Sequence, residues 1–227
     1  MLKRHIKQQI NWLIKLIVII SFLFQIAIGA ESNEFVEGEH FKRISVLNQI
    51  NLPSYKIKSQ NNYNVPQISI FFNYGCYGCW IFNKHFNVWL AAQKSQVNVS
   101  YYPVSFNEIW EILAKLYYVN KELKTYTDEE MFNQIHEQHK RLWIESEMVA
   151  LYEQKQINKS KIINLYNSFD VARKTKNAIE ISKKYNINVT PNIIINFKNN
   201  SYMVNLTMVK DIDGLFKVIE HLIKFTP

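Results

Sequence analysis

Apolar and polar positions fall into two regimes along the chain. Gln67 to Phe72 (QISIFF) and Asn192 to Phe197 (NIIINF) are short, nearly continuous apolar runs, the pattern of strands buried on both faces. Val97 to Val104 (VNVSYYPV) reads as another β segment, and His40 to Leu47 as a strand-like stretch within a polar region. Asn73-Tyr74-Gly75 breaks the first run. From Cys76 to about Gln93 the pattern predicts a helix, with Phe82, Phe86, Trp89 and Leu90 at helical spacing. Strand, helix and strand thus follow one another within about forty residues, long enough for a parallel crossover.

From Asn107 to Ser168 the period is helical throughout. Ile109, Ile112, Leu113, Leu116 and Tyr117 form one apolar stripe. Thr127 followed by Glu130 predicts a capping box for the next helix. Further helices are expected near 146–155 and 159–167. Asp170 is expected to cap a long helix with Val171, Thr175, Ala178, Ile179, Ser182 and Tyr185 on its inner face. After Asn192–Phe197, Lys198-Asn199-Asn200 reads as a turn and Ser201 to Leu206 as the returning strand of a hairpin. Leu215, Phe216, Ile219, Leu222 and Ile223 place a last helix between about Asp211 and Phe225. The order is β-α-β, a helical block, then α-β-β-α: an α/β chain.

The first thirty residues follow a different rule. Lys3, Arg4, Lys7 and Lys15 precede an uncharged run from Leu16 to Ile28, which ends in Ala27-Ile28-Gly29-Ala30. Basic start, apolar run and small residues make the three-part pattern of a secretory signal. A transmembrane helix needs about 20 apolar residues, so an uncleaved anchor is the alternative rather than the first reading. The 227-residue chain has 27 Lys+Arg against 19 Asp+Glu, a formal charge of +8. Removing the leader takes away those four bases and no acid, leaving 23 against 19, or +4. That mild charge, with no recognition-helix or basic motif, argues against a nucleic-acid partner.

The chain has two cysteines, Cys76 and Cys79. They are too few for a disulfide scaffold or for a four-cysteine metal site. His136 and His139 share a helix face but lie sixty positions further on, so no metal and no cofactor is expected. The pair sits where a strand ends and a helix begins, and that context gives it chemistry. Free N–H groups and the dipole at a helix N-terminus stabilise an anion. The first cysteine, pointing to solvent at that end, gains thiolate character, and the second lies one turn inside, within bonding reach. Cys76–Cys79 can therefore cycle between dithiol and redox-active disulfide, with Cys76 as nucleophile and Cys79 as resolving thiol. Export to an oxidising compartment suits such a pair. A purely structural bridge remains the alternative.

Strand, CxxC and helix, a helical insertion and a late Val189-Thr190-Pro191 before a strand together resemble the thioredoxin superfamily, and within it the DsbA family of secreted thiol–disulfide oxidoreductases. Phe35-Val36-Glu37-Gly38-Glu39-His40-Phe41 is similar to that family's N-terminal segment. Pro66 to Phe72 is similar to the strand leading into its active site. The resemblance implies a thioredoxin-like fold with an inserted all-helical domain: signal 1–30, a discontinuous thioredoxin-like domain 31–106 and 169–227, and the insertion 107–168. It implies a cis Thr190–Pro191 bond beside the cysteines, with the Thr190 backbone free to pair with an extended substrate peptide. It implies a periplasmic enzyme that oxidises reduced or unfolded secreted proteins and is itself reoxidised by a DsbB-like, quinone-linked membrane protein. Tyr74, Tyr77 and Trp80 cluster around the cysteines as candidate substrate-gripping aromatics, with Tyr101 and Tyr102 near them.

Departures from the family pattern shape the expected chemistry. The dipeptide between the cysteines is Tyr77-Gly78, where the strong oxidants carry Pro-His, so no charge beside Cys76 comes from the dipeptide. Ile70 stands six residues before Cys76, where thioredoxin-like enzymes commonly place a buried acid, and Asn83 stands where the family often has Glu. A milder oxidant is expected from the first departure. From the second, loss of the Cys79 proton should be slow, which hinders a reductase more than an oxidase. A reductase or isomerase of the same fold is the alternative function, and a non-catalytic chaperone or binding module with a structural CxxC bridge is the second.

Overall fold

The computed structural model describes residues 35–44, 65–93, 97–198 and 200–224. The chain divides into a short unit, Met1–Val36, and one body, Glu37–Pro227, which carries every element below. The expected signal falls outside the described residues, as does the end of the strand-like stretch at 45–47. Among the described residues no helix is long and apolar enough to cross a membrane.

Among the described residues five strands form one sheet: β1 (Lys42–Arg43), β2 (Gln67–Phe72), β3 (Asn98–Pro103), β4 (Asn192–Phe197) and β5 (Asn200–Asn205). Their order across the sheet is β1-β5-β4-β2-β3, with β2 and β3 parallel and the other pairs antiparallel. The most apolar runs take the centre: Ile68, Ile70, Phe71 and Ile193 to Ile195 are each at most 1% exposed. Helix α1 (Tyr77–Ala92) is the crossover between β2 and β3. It packs with the last helix, α7 (Ile212–Lys224), through Phe82 stacked on Phe216 at 5.5 Å and a hydrogen bond from Trp89 Nε1 to Glu220 Oε1 at 3.0 Å. The opposite sheet face buries Phe71 and Ile194 with Val104, Ile181 and Ile187, under the long helix α6 (Phe169–Lys184).

Between β3 and α6 run four helices: α2 (Glu108–Leu123), α3 (Asp128–His136), α4 (Glu145–Glu153) and α5 (Lys159–Tyr166). Thr127 and Glu130 make the reciprocal capping box at the start of α3. The stripe on α2 is buried at Leu113, Leu116 and Tyr117, but Ile109 is 44% exposed. The cap of α6 is Ser168, whose Oγ accepts from the Val171 N–H at 3.3 Å, and not Asp170. Asp170 lies in the first turn, where it suits the helix dipole and pairs with Arg173 and Lys174 at 2.6 Å each.

The block meets the sheet through an aromatic cluster. Phe72, at the end of β2 and 3% exposed, has ring neighbours Tyr74, Tyr101, Tyr117 and Phe132 at centroid distances of 5.2 to 6.0 Å. Tyr117 belongs to α2 and Phe132 to α3, so one strand-end residue joins the block to the strand that delivers the cysteines.

Candidate active site

Strand β2 ends at Phe72, and the turn that follows is held by Asn73. Its buried amide donates from Nδ2 to the carbonyls of Val104 (2.8 Å) and Trp110 (2.9 Å), and its Oδ1 accepts from the Gly75 N–H at 2.9 Å. The Cys76 N–H donates to the Asn73 carbonyl at 3.0 Å. Asn73 thus fixes the cysteine loop against the end of β3 and the start of α2. The sequence reading saw it only as a strand breaker; an Asn two residues before a glycine at a strand end was the available signal.

Cys76 is the N-cap of α1, and its Sγ accepts from the Cys79 N–H at 3.1 Å. Cys76 and Cys79 are joined in a disulfide. Cys76 is 7% exposed and Cys79 1%. The expectation that Cys76 faces solvent therefore holds only relative to its partner, because the Thr190 loop lies over it. The Thr190–Pro191 peptide is cis. The Thr190 hydroxyl donates to Cys76 Sγ at 3.2 Å, and the Thr190 carbonyl oxygen lies 3.6 Å from the same sulfur. Gly78 completes the contact: a Cβ built on it would sit 3.4 Å from Pro191 Cδ and 3.8 Å from the Thr190 oxygen. So Cys76, Gly78, Thr190 and Pro191 meet in one place, although 114 positions separate Cys76 from Thr190.

Three groups favour charge on Cys76 Sγ: the Cys79 N–H, the Thr190 hydroxyl and the N-terminus of α1, whose first turn holds no acid. Hydrogen bonds to a charged group are worth about 1.5–3 kcal/mol. Thr190→Val should therefore raise the Cys76 thiol pKa by roughly one unit, read as the midpoint of thiolate absorbance in the reduced protein. An unchanged midpoint would mean that the hydroxyl does not act on the sulfur.

The aromatic surface differs from expectation. Tyr74 is 1% exposed and is no part of a substrate-facing surface. Its hydroxyl donates to Asp128 Oδ1 at 2.6 Å, and burial, with Asp128 second, pushes its pKa well above the usual tyrosine range. Tyr101 and Tyr102 pack on Phe72 and Phe71. Tyr77 is 65% exposed, with its ring edge-on to Trp80 at 5.4 Å. Trp80 is half-buried and donates from Nε1 to Asn133 Oδ1 at 2.8 Å, while Lys84 Nζ sits 4.2 Å above its ring. His136 stacks on Trp80 at 5.3 Å, and its Nε2 is 2.8 Å from the Tyr74 carbonyl oxygen. Burial lowers its pKa from the ordinary value, and the Tyr74 hydrogen bond only partly offsets this.

The two positions where the resemblance would place acids are neutral and buried. Ile70 is 1% exposed. Asn83, one turn along α1 and 4% exposed, has no hydrogen-bond partner for its Nδ2 among the described residues.

No family model matches the chain. Curated relatives do. The thiol:disulfide interchange protein DsbA of Pseudomonas aeruginosa is 21% identical over 216 residues, covering 94% of this chain and 95% of the relative. The protein of the same name from Burkholderia cepacia is 26% identical over 156 residues, 68% of this chain and 72% of the relative. Over most of its length the chain is thus similar to DsbA proteins, at 21–26% identity. Among solved structures, Pseudomonas aeruginosa DsbA superposes with a TM-score of 0.68 at 19% identity, over 85% of this chain and 95% of that one. DsbA from Xylella fastidiosa gives 0.66 at 20%, over 83% and 96%. These likenesses establish the fold of this chain as thioredoxin-like with an inserted helical domain.

Proposed function

We propose that this DsbA-like protein is a periplasmic dithiol–disulfide oxidoreductase that introduces disulfides into reduced or unfolded secreted proteins through Cys76–Cys79. The observation that carries this reading is the disulfide at the N-cap of α1 with the Thr190 hydroxyl 3.2 Å from Cys76 Sγ. A substrate thiolate attacks Cys76 Sγ, since Cys79 is closed off at 1% exposure. The S–S bond breaks, and Cys79 leaves with the electron pair and takes up a proton. A second substrate thiolate attacks the substrate sulfur of the mixed disulfide and expels Cys76 as thiolate. The substrate departs two electrons oxidised, and the Cys76–Cys79 pair is left reduced by two. The groups around Cys76 Sγ favour this last step, because each stabilises the leaving thiolate. The cis-proline loop supports substrate docking, since an extended peptide can pair with the Thr190 backbone.

Direction follows from the neutral residues at two positions. With Ile70 and Asn83 in place of acids, neither position offers a carboxylate for the Cys79 proton, which hinders reduction of targets more than donation of a ready disulfide. Reoxidation is assigned to a DsbB-like, quinone-linked membrane partner. The domain division, 31–106 with 169–227 around 107–168, and the secretory signal over residues 1–30 belong to the same reading.

Mixing the oxidised protein with a reduced, unfolded two-cysteine protein tests it. One substrate disulfide should appear for each Cys76–Cys79 pair reduced. A substrate that stays reduced while the pair stays oxidised would refute the reading.

A further inference from the structure

The Tyr77-Gly78 dipeptide brings no ionisable nitrogen to Cys76, yet the helical block brings one from sixty positions away. His136, the last residue of α3, lies against both flanks of the cysteine. On the N-terminal side its Nε2 meets the Tyr74 carbonyl at 2.8 Å. On the C-terminal side its ring stands 6.0 Å from that of Tyr77 and is stacked on Trp80 at 5.3 Å with planes 14° apart. Phe132 closes the inner side at 6.2 Å. A carbonyl oxygen only accepts, so Nε2 carries the hydrogen in the neutral ring and Nδ1 is the site that gains a proton. The hydrogen bond therefore survives both charge states, and the charge alone changes.

The surrounding ions are engaged with partners of their own, two in ion pairs and two with neutral amides. Lys84 of α1 pairs with Glu137 at 2.8 Å, and Lys121 of α2 pairs with Asp128 at 2.7 Å. Glu129 of α3 accepts from Asn87 of α1 at 3.4 Å, and Lys140, beyond α3, donates to Gln134 at 2.5 Å. Glu130 of α3 is taken up in the capping box with Thr127, Arg141 pairs with Glu147, and His139 completes the titratable groups of that segment. The sulfur that becomes charged when the bridge opens lies two residues from the Tyr74 carbonyl that His136 holds, and offers a counter-ion to a proton on His136.

We propose that His136 is a positioning residue for the Cys76 thiolate: it holds the Tyr74 carbonyl and, when protonated, supplies the positive charge that the dipeptide lacks. The inference rests on the disulfide-exchange reading above. Linkage fixes its sign. A charge that favours the thiolate is favoured by it to the same extent. The imidazole pKa, held down by burial in the oxidised protein, rises when the pair is reduced. Relative to a variant without the imidazole, the pair becomes more oxidising as the pH falls into the range where His136 charges.

Two readouts on the full chain test this. The His136 ring is titrated by NMR in the oxidised protein, the reduced protein and reduced Cys76→Ser. The glutathione equilibrium of wild type, His136→Gln and His136→Phe is measured at pH 5.5 and pH 8. The His136 acid dissociation constant should fall about fivefold on reduction, within the usual range of coupling between sites, and should not fall in Cys76→Ser. His136→Gln, which keeps a donor for Tyr74, should lower the oxidising equilibrium constant about fivefold at pH 5.5 and match wild type at pH 8. Equal imidazole titrations in both redox states, or an unaltered constant for His136→Gln at pH 5.5, would overturn the proposal while leaving disulfide exchange standing. A bridge that no glutathione mixture opens, in wild type and variants alike, would overturn the exchange reading and this proposal with it. The wild-type titration decides the matter even if His136→Phe fails to fold.

Discussion

Cys76→Ser should reduce disulfide transfer to the level of a protein-free control, whereas Cys79→Ser should stall it as a trapped adduct. The two sulfurs are not equivalent. Cys76 caps α1, receives the Cys79 N–H and the Thr190 hydroxyl, and is the more exposed of the pair. A lone Cys76 thiolate in Cys79→Ser keeps all three advantages and lacks only the partner that would release a bound target. It should react with an aromatic disulfide reagent at neutral pH and accumulate mixed disulfides that survive non-reducing electrophoresis. A lone Cys79 in Cys76→Ser is buried at 1% exposure and should stay unreacted. Adducts on Cys76→Ser and none on Cys79→Ser would reverse the assignment of nucleophile and resolving thiol.

Phe72→Ala should be the most damaging single change away from the cysteines. Deleting a buried phenylalanine side chain costs about 3–5 kcal/mol, a large part of the roughly 5–15 kcal/mol that a folded protein commands. Four rings lose a neighbour at once, two of them in α2 and α3. At about 2–4 °C per kcal/mol for a chain of this size, the melting temperature should fall by roughly 6–20 °C. Thermal unfolding followed by circular dichroism checks this. A drop of only a degree or two would mean that the block and the sheet are held together elsewhere.

How much of this was legible beforehand depended on the range of the interactions. The runs Gln67–Phe72 and Asn192–Phe197 coincide with β2 and β4, because continuous apolar stretches of six residues in a sheet covered on both faces have one sensible use. The capping box at Thr127 and Glu130 is equally local and equally legible. The cap at Ser168 was misread because Ser and Asp both accept N–H bonds; only the register of the turn separates a cap from a first-turn charge. Ile109 fits the apolar period but stands in the first turn of α2, where 44% of it stays exposed. Tyr74 and His136 were out of reach for another reason. The partner of Tyr74 is Asp128, 54 positions on, and the partner of His136 is Tyr74, 62 positions back. No spacing rule connects such residues; the packing of α3 on α1 does. The cysteines were legible because a strand, a CxxC and a helix occur in immediate succession.

The central claim is that Cys76–Cys79 is an exchangeable, oxidising bridge and not a structural staple. Equilibrating the protein across a series of reduced to oxidised glutathione mixtures, then trapping and counting free thiols, addresses it directly. The account predicts that the bridge opens while glutathione is still largely oxidised, because the reduced state gains a thiolate held by the Cys79 N–H, the Thr190 hydroxyl and the α1 N-terminus. A bridge that stays closed in the most reducing mixture would contradict it.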